Sequence, residues 1–532
     1  MVNILNKGYV SLVLHAHLPF VRHPDSDSYI EERWLFEAIS ESYIPLLKNF
    51  QRLLTEGIEF KITMSLTPTL LSMLSDEVLQ NKYIRYLEQL IELTEKEIAR
   101  TKNEPEFNRL AVMYNEKYKS DLYFFREQYK QNIITAFKEL QDHGNLEIIA
   151  CAATHAFLPL LTVNPQSIEA QINIGASIYK RFFNTDPKGM WLPECGYTAH
   201  IEGSLRNNGI KYIITESHGV LYADPRPVFA TYAPIISPNG TVIFGRDIDS
   251  SRQVWSAVDG YPGDVDYREF YRDIGYELDY DYLSQYIPSD GTRISTGVKY
   301  YRITGKTSNK SVYVPEWAKS KVEMHSTDFI LKRCKQIENF YNETNRPGLI
   351  VCPYDAELFG HWWFEGPDWI YTLLKKAADE EILELVTLNE YIISNLVIQV
   401  SKPCESTWGE KGYNEVWLNK SNDWIYKHLH KAGTRMAELA SKNPGAEGII
   451  KSALNQAARE LLLAQSSDWA FIIKTGTMVK YAERRIKEHI SNFTRLYNDI
   501  TKGNIDSNWL SDLEYRNNIF PDIDYKIFGK SH

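Results

Sequence analysis

The feature that most constrains this chain is a recurring short apolar run, rich in β-branched residues, that ends in a polar or charged side chain. Tyr9–Leu14 ends in His15-Ala16-His17, Phe60–Met64 in Ser65 and Thr67, and Leu146–Ala153 in Thr154-His155. Met190–Pro193 ends in Glu194, Tyr212–Ile214 in Thr215 and Glu216, and Val242–Phe244 in Arg246 and Asp247. Leu349–Cys352 ends in Tyr354 and Asp355, and Leu383–Val386 is an eighth candidate. Runs without clear alternation predict strands buried on both faces, as in a parallel sheet. Helical stretches lie between them, for example Ser167–Phe183 and Asp328–Tyr341. Polar residues collected at the C-terminal ends of parallel strands are the arrangement of a β/α barrel. The expected class is therefore α/β, a barrel or a broken barrel.

Two insertions interrupt the rhythm. From about 71 to 145 the sequence is helical and charge-laced; Tyr83–Lys102 carries an apolar stripe of Leu87, Leu90, Ile91, Leu93 and Ile98, expected to pack the insertion onto the barrel. From about 249 to 305 it is rich in Tyr, Asp and Gly and poor in periodicity, with Val258-Asp259-Gly260-Tyr261-Pro262-Gly263-Asp264 inside it. Long irregular loops of this kind in a compact domain read as functional lids or as disordered segments. After Ser401 a Trp-containing loop, Lys402–Asn419, leads into amphipathic helices that include Trp424–Ser441, Glu447–Ala464 and Met478–Asn498. Residues 1–400 are thus expected to form the catalytic barrel, and 401–532 a C-terminal helical domain that contributes to the cleft.

The 532 residues, 43% hydrophobic, can bury a large core. The net charge of −10, without a basic block, argues against nucleic acid and anionic membrane as partners. No stretch of 18 apolar residues predicts a transmembrane helix, and Met1–Lys7 has no secretory pattern. The five cysteines, Cys151, Cys195, Cys334, Cys352 and Cys404, are scattered and form no CxxC, which argues against a disulfide framework or a zinc cluster. A reducing cytoplasm is the expected setting. Oligomeric state is not legible.

Glu194 and Asp355 each follow a proline-containing strand end and sit among Trp, Tyr or His. Acids ringed by aromatics suit sugar chemistry: the C–H face of a pyranose packs on a ring, and two carboxyls about 5–5.5 Å apart serve a retaining glycosidase. Glu357 and Glu365 compete with Asp355 for the second role. His15 and His17, at i and i+2 of a strand, share one face. They suit sugar contact, or a metal site completed by His155, His218, His361 or Asp355, which would make a metal-dependent barrel hydrolase. Trp362-Trp363, Trp408 and Trp417 lie in Gly- and polar-rich loops where contact with substrate competes with packing. Tyr261, between Gly260 and Pro262, reads as a loop-tip residue that packs its turn or covers an intermediate.

Five segments resemble glycoside hydrolase family 57, and within it the α-1,4-glucan branching type, over nearly the whole chain. They are His15-Ala16-His17-Leu18-Pro19-Phe20, His155-Ala156-Phe157-Leu158-Pro159, Trp191-Leu192-Pro193-Glu194-Cys195-Gly196-Tyr197, Tyr354-Asp355-Ala356-Glu357-Leu358-Phe359-Gly360-His361-Trp362-Trp363, and Ser406-Thr407-Trp408-Gly409 with Glu415-Val416-Trp417-Leu418-Asn419. The resemblance implies a distorted (β/α)7 barrel with an inserted helical subdomain and a C-terminal all-helical domain. It implies no metal and no cofactor. It implies Glu194 as nucleophile and Asp355 as acid/base, with His15, His17, His155, Trp408 and Trp417 around the donor glucan, and Arg302, Trp363 and Asp468 as further substrate-binding positions. The long loop with Gly260-Tyr261-Pro262-Gly263 resembles the branching type, in which Tyr261 would shield the intermediate from water. A hydrolytic α-amylase of the same family and a glucan-binding protein without catalysis remain the alternatives, and glycogen synthesis is the expected pathway for a branching enzyme.

Overall fold

The computed structural model describes residues 7–26, 30–256, 260–288, 290–379, 383–395 and 398–529. Met1–Asn6, read as free of a secretory pattern, and Val258-Asp259 of the loop motif lie outside them. Seven parallel strands form the frame: β1 (Gly8–Ala16), β2 (Ile62–Leu66), β3 (Leu146–Cys151), β4 (Gly189–Trp191), β5 (Tyr212–Thr215), β6 (Val242–Gly245) and β7 (Gly348–Asp355). Their order is β6-β5-β4-β3-β2-β1-β7. Among the described residues no ladder joins β6 to β7, but Asp247 N donates to Val351 O at 2.9 Å just past the end of β6. The sheet is therefore a distorted barrel with its seam at that point.

The eighth run is a strand without being a stave. Glu384–Leu385 pairs with β1 at Tyr9 and Val10, whereas β2 pairs with β1 only from Val13 onward. Because β7 occupies the other edge of β1 over Gly8–His15, the short strand fills the β2 side below β2. Ile235–Ile236 and Gln399–Val400 extend the β6 edge in the same minor way.

The absence of alternation has a direct cause. Val13, Ile149, Cys151, Trp191, Ile214, Phe244 and Val351 share one buried cluster, while the intervening Leu12, Leu14, Ile148, Ala150, Met190, Ile213, Ile243 and Ile350 join a second that includes the helices. Both faces of each strand are apolar because each faces a core. Continuing the inward register two residues past Val13 and four past Val351 brings His15 and Asp355, which are paired neighbours, to the barrel's C-terminal mouth. The helix after β3, Pro165–Phe183, approaches so closely that a Cβ on Gly175 would meet Cys151 O at 2.1 Å.

The first insertion departs from expectation in what it packs on. Its helix α1 (Glu77–Arg100) buries Tyr83, Leu87, Leu90 and Leu93, but chiefly against its own partner α2 (Pro105–Leu122) rather than the barrel. The second insertion then lies on α1: the Tyr282 and Tyr300 hydroxyls donate to Glu97, each at 2.8 Å, and Tyr286 donates to Glu92 at 2.9 Å. Buried Asp273 pins that segment by accepting from Gly275 N, Ser295 Oγ, Thr296 N, Thr296 Oγ1 and Gly297 N, at 2.7 to 2.9 Å. A long helix, α3 (Pro315–Thr344), follows.

Beyond Ser401 the chain is helical: α4 (Trp424–Lys442), α5 (Gly448–Ala464), α6 (Ser467–Thr475), α7 (Val479–Lys502) and α8 (Ser507–Arg516). α5 and α7 pack against each other over a fully buried Glu460–His489 pair, Nδ1 to Oε2 2.7 Å. No helix among the described residues is long and apolar enough to cross a membrane. Cys151, Cys195, Cys352 and Cys404 are in no disulfide.

Candidate active site

β4 stops at Trp191, and Pro193 turns the chain into one 3-10 turn in which Glu194 and Cys195 adopt left-handed backbone, φ 61° and 50°. Neither is glycine, so the turn is held by its surroundings. Trp408 N donates to Glu194 O at 3.0 Å, and Tyr197 N to Ser406 O at 2.9 Å, so the loop after residue 401 is stitched to this turn. The Glu194 carboxylate is 9% exposed. Its Oε2 accepts from Trp408 Nε1 and its Oε1 from Ser467 Oγ, both at 2.9 Å. Burial raises its pKa, and the two donors partly offset that.

Asp355 ends β7 and has no hydrogen-bond partner among the described residues. Burial, then the charges of Glu357 and Glu194, push its carboxyl well above the ordinary range, with Arg246 opposing. Its competitors are occupied elsewhere. Glu357 Oε1 accepts from Tyr43 Oη at 2.5 Å and His17 N at 3.1 Å. Glu365, raised to about 7 by burial, accepts from Arg268 N at 3.0 Å.

Three histidines stand between the acids. His15 Nδ1 lies 2.8 Å from Ser65 Oγ and its Nε2 lies 3.0 Å from His155 Nε2; its ring stacks on Trp191 at 4.5 Å. His155 Nδ1 lies 2.9 Å from Ser467 Oγ, and its ring stacks on His17 at 3.7 Å. Burial, then the neighbouring imidazoles, hold His15 and His155 well below the usual histidine range. His17 differs: burial opposes its charged form, but Asp468 at 3.0 Å, with the charges of Glu357 and Glu194 behind it, raises its pKa. Asp468 is lowered by the same pairing against its own burial.

His17, His155 and Asp468 offer ligand atoms within 4.8 Å of one another, so these three, and not the His15/His17 pair, are the described residues arranged to hold a cation. Each already has a protein partner: His17 the carboxylate of Asp468, and His155 the ring of His15 and the hydroxyl of Ser467. His218 bonds Gly412 O, and His361 bonds Glu41. Gly360, beside His361, sits at φ 113°, and a Cβ there would overlap Glu41 O. Neither histidine joins the cluster.

Four other expected positions sit differently from the sequence reading. Trp363 is 2% exposed, packed on Tyr267, Phe359 and Trp369, and cannot offer a ring face to a ligand. Its neighbour Trp362 is 54% exposed and stacks on Phe270. Trp417 is stacked on Phe157 at 4.4 Å and buried, so what it has to offer is its unpartnered indole N–H rather than a face. Arg302 bonds Val265 O and Asp266 and lies over Trp317, remote in its contacts from either acid. Tyr261 is docked rather than hanging at a loop tip: its hydroxyl donates to Asp328 of α3 at 2.7 Å, accepts from Gln253 at 3.0 Å, and its ring stacks on His325. Sequence reasoning also missed Ser467 and Arg246 as site residues. Arg246 bonds Glu216 and Ser251 and lies 5.8 Å from the Trp408 ring. The strand-end pattern did mark Arg246; nothing in the sequence marked Ser467 except its place beside Asp468.

The family profile of glycosyl hydrolase family 57 matches residues 11–353. This chain belongs to glycosyl hydrolase family 57. A second profile, described as 1,4-alpha-glucan branching enzyme, C-terminal, matches residues 428–528. Within the family the chain is 33% identical to the 1,4-alpha-glucan branching enzyme TK1436 of Thermococcus kodakarensis, over 97% of this chain and 77% of that one. Among solved structures it resembles the alpha-amylase AmyC from Thermotoga maritima, at TM-score 0.93 and 44% identity over 99% of both chains. It also resembles the branching enzyme from Pyrococcus horikoshii, at TM-score 0.89 and 33% identity, over 99% of this chain and 97% of that one. The distorted barrel and the helical C-terminal region are thus those of family 57.

Proposed function

We propose that this chain is a retaining 1,4-α-glucan branching enzyme that cuts an α-1,4-glucan and transfers the freed segment to a 6-hydroxyl through a covalent glycosyl-enzyme. The observation that carries it is the branching-type C-terminal match over residues 428–528, from whose α6 Ser467 and Asp468 reach Glu194 and His17. Residues 401–532 then act as part of the cleft and not as an appendage.

The two acids have environments that support different duties. Glu194 has two neutral donors that favour its ionised form, the state a nucleophile needs. Asp355 has no donor and faces two carboxylates, which favours its protonated form, the state a general acid needs. Glu194 attacks the anomeric carbon while Asp355 gives its proton to the departing oxygen. Esterification removes the charge of Glu194, one of the causes that raised Asp355, so the Asp355 pKa falls and the carboxyl is left in the ionised form that a general base needs. It then takes the proton of the acceptor 6-hydroxyl, whose oxygen displaces Glu194. The ring of Trp408 and the stacked cluster of His15, His17 and His155 line the donor side. A cytoplasmic role in glycogen synthesis fits the scattered cysteines, which form no CxxC.

A specific observation favours a second reading: the 44% identical relative is described as an α-amylase. Water in place of the acceptor hydroxyl gives hydrolysis through the same intermediate. Amylose incubated with the protein separates the two. Branching lowers iodine colour with flat reducing ends, which a debranching enzyme then multiplies; hydrolysis raises reducing ends in step with colour loss. Glu194→Gln is expected to remove both activities by at least about 10³-fold, and retained turnover would reject the nucleophile.

A further inference from the structure

Glu194 Oε1 is the end of an unbroken line of short contacts. Ser467 Oγ is 2.9 Å from that oxygen and 2.9 Å from His155 Nδ1. His155 Nε2 is 3.0 Å from His15 Nε2, and His15 Nδ1 is 2.8 Å from Ser65 Oγ. His15 and His155 are 2% and 3% exposed, and Ser65 and Ser467 are as deeply buried.

Proton counting gives the line a direction. An ionised carboxylate only accepts, so the single Ser467 proton is directed at Glu194. Ser467 must then accept from His155 Nδ1–H. A neutral imidazole protonated at Nδ1 has a bare Nε2, so His15 Nε2–H donates to it. His15 is thereby bare at Nδ1 and accepts from the Ser65 hydroxyl. Two neutral histidines in contact through like-named atoms are forced into opposite tautomers by a carboxylate two residues further along the line.

We propose, on the reading of Glu194 as the ionised nucleophile, that Ser467 is a positioning residue closing a one-way hydrogen-bond chain from Ser65 through His15 and His155 to Glu194. Aligned donors polarise one another, so the last bond is stronger than an isolated serine would make it. The chain favours the charged form of Glu194 against its burial and fixes which oxygen is engaged. Trp408 Nε1 holds the other. The titratable groups facing the chain are His17 and Asp468 beside His155, and Asp355, Cys151 and Cys195 beside Glu194, with Arg246 across from Cys195. Burial pushes both thiols well up, so neither competes as an anion.

The full-length protein labelled with 15N-histidine supplies a test without substitution. Long-range 1H–15N spectra near neutral pH are expected to show His15 as the Nε2–H tautomer and His155 as the Nδ1–H tautomer, each assigned by loss of its signals in His15→Gln and His155→Gln. Matching tautomers, or an imidazolium at either position, overturn the proposal. In kinetics, Ser467→Ala is expected to lower kcat/KM roughly 10- to 100-fold, mostly in kcat, and to move the acid limb of the pH profile upward, because the donor lost favours ionised Glu194. Ser467→Thr, which keeps a hydroxyl, restores most of both. An unmoved acid limb in folded Ser467→Ala, with Glu194→Gln inactive, overturns the chain alone. Activity retained in Glu194→Gln overturns the nucleophile reading and the proposal with it.

Discussion

Asp355 and Glu357 stand two residues apart, and what separates them is hydrogen bonding. Glu357 is tied to Tyr43 and the His17 amide, while Asp355 is bare and feels the Glu357 charge. Neutralising Glu357 removes one of the causes that hold the Asp355 proton on. Glu357→Gln keeps an acceptor for Tyr43, and the basic limb of its pH–rate profile is expected to move to lower pH, since a general acid with a lowered pKa loses its proton earlier. An unmoved or raised basic limb would show that Glu357 does not govern Asp355. This is also where residue-level reading from sequence stops. The strand-end position identified both acids, but a choice between i and i+2 rests on donors that come from Tyr43 and from His17, just past the end of β1. Trp363 and Trp417 were equally illegible: an indole in a polar loop carries no mark of whether it turns inward.

At the scale of elements, the strands were legible and the insertions less so, for one physical reason. A strand between two cores shows its burial in its own residues, as Leu12-Val13-Leu14 does. The 260–305 segment is held by side-chain bonds to another element, and such bonds leave no period. Its tyrosines reach Glu92 and Glu97 of α1, and Asp273 collects five donors from within the segment. Asp273→Ala would leave those donors without their acceptor in a buried place, at a cost of about 3 kcal/mol or more to the local fold. Hydrogen exchange and limited proteolysis are expected to increase over residues 260–305 while the barrel strands stay protected. Uniform exposure across the chain would instead mean that the insertion and barrel unfold as one unit. The docking of Tyr261 on α3 belongs to the same packing, so a shielding role for its ring would require release of the Asp328 and Gln253 bonds.

For the whole molecule, the question is what couples the C-terminal helices to the barrel. Ser467 N donates to His155 O, Gln465 bonds Gln171 and Ser167, and Asp468 pairs with His17. Of these three only the last is charged, and its signs can be worked out. Asp468 is lowered in the folded protein, so its contribution is present above the ordinary aspartate range and fades as pH falls through the lowered value. His17 is raised, so its contribution is full below the ordinary histidine pKa and fades as pH rises through the raised value. The pair therefore stabilises the junction most in the window between those two ranges. Asp468→Asn should lower Tm most near pH 6, where removing one partner of a mostly buried pair costs about 3 kcal/mol, and the deficit should shrink as pH rises past the raised value of His17. A deficit constant from pH 6 to 9 would mean that the charges of the His17–Asp468 pair do not steady the junction. If the deficit does shrink, the charge pair that steadies the helices on the barrel is also the one beside His155. Raising pH would then loosen the element that carries Ser467 as well as removing the proton from Asp355, and the basic limb of activity would fall more steeply than loss of a single proton allows.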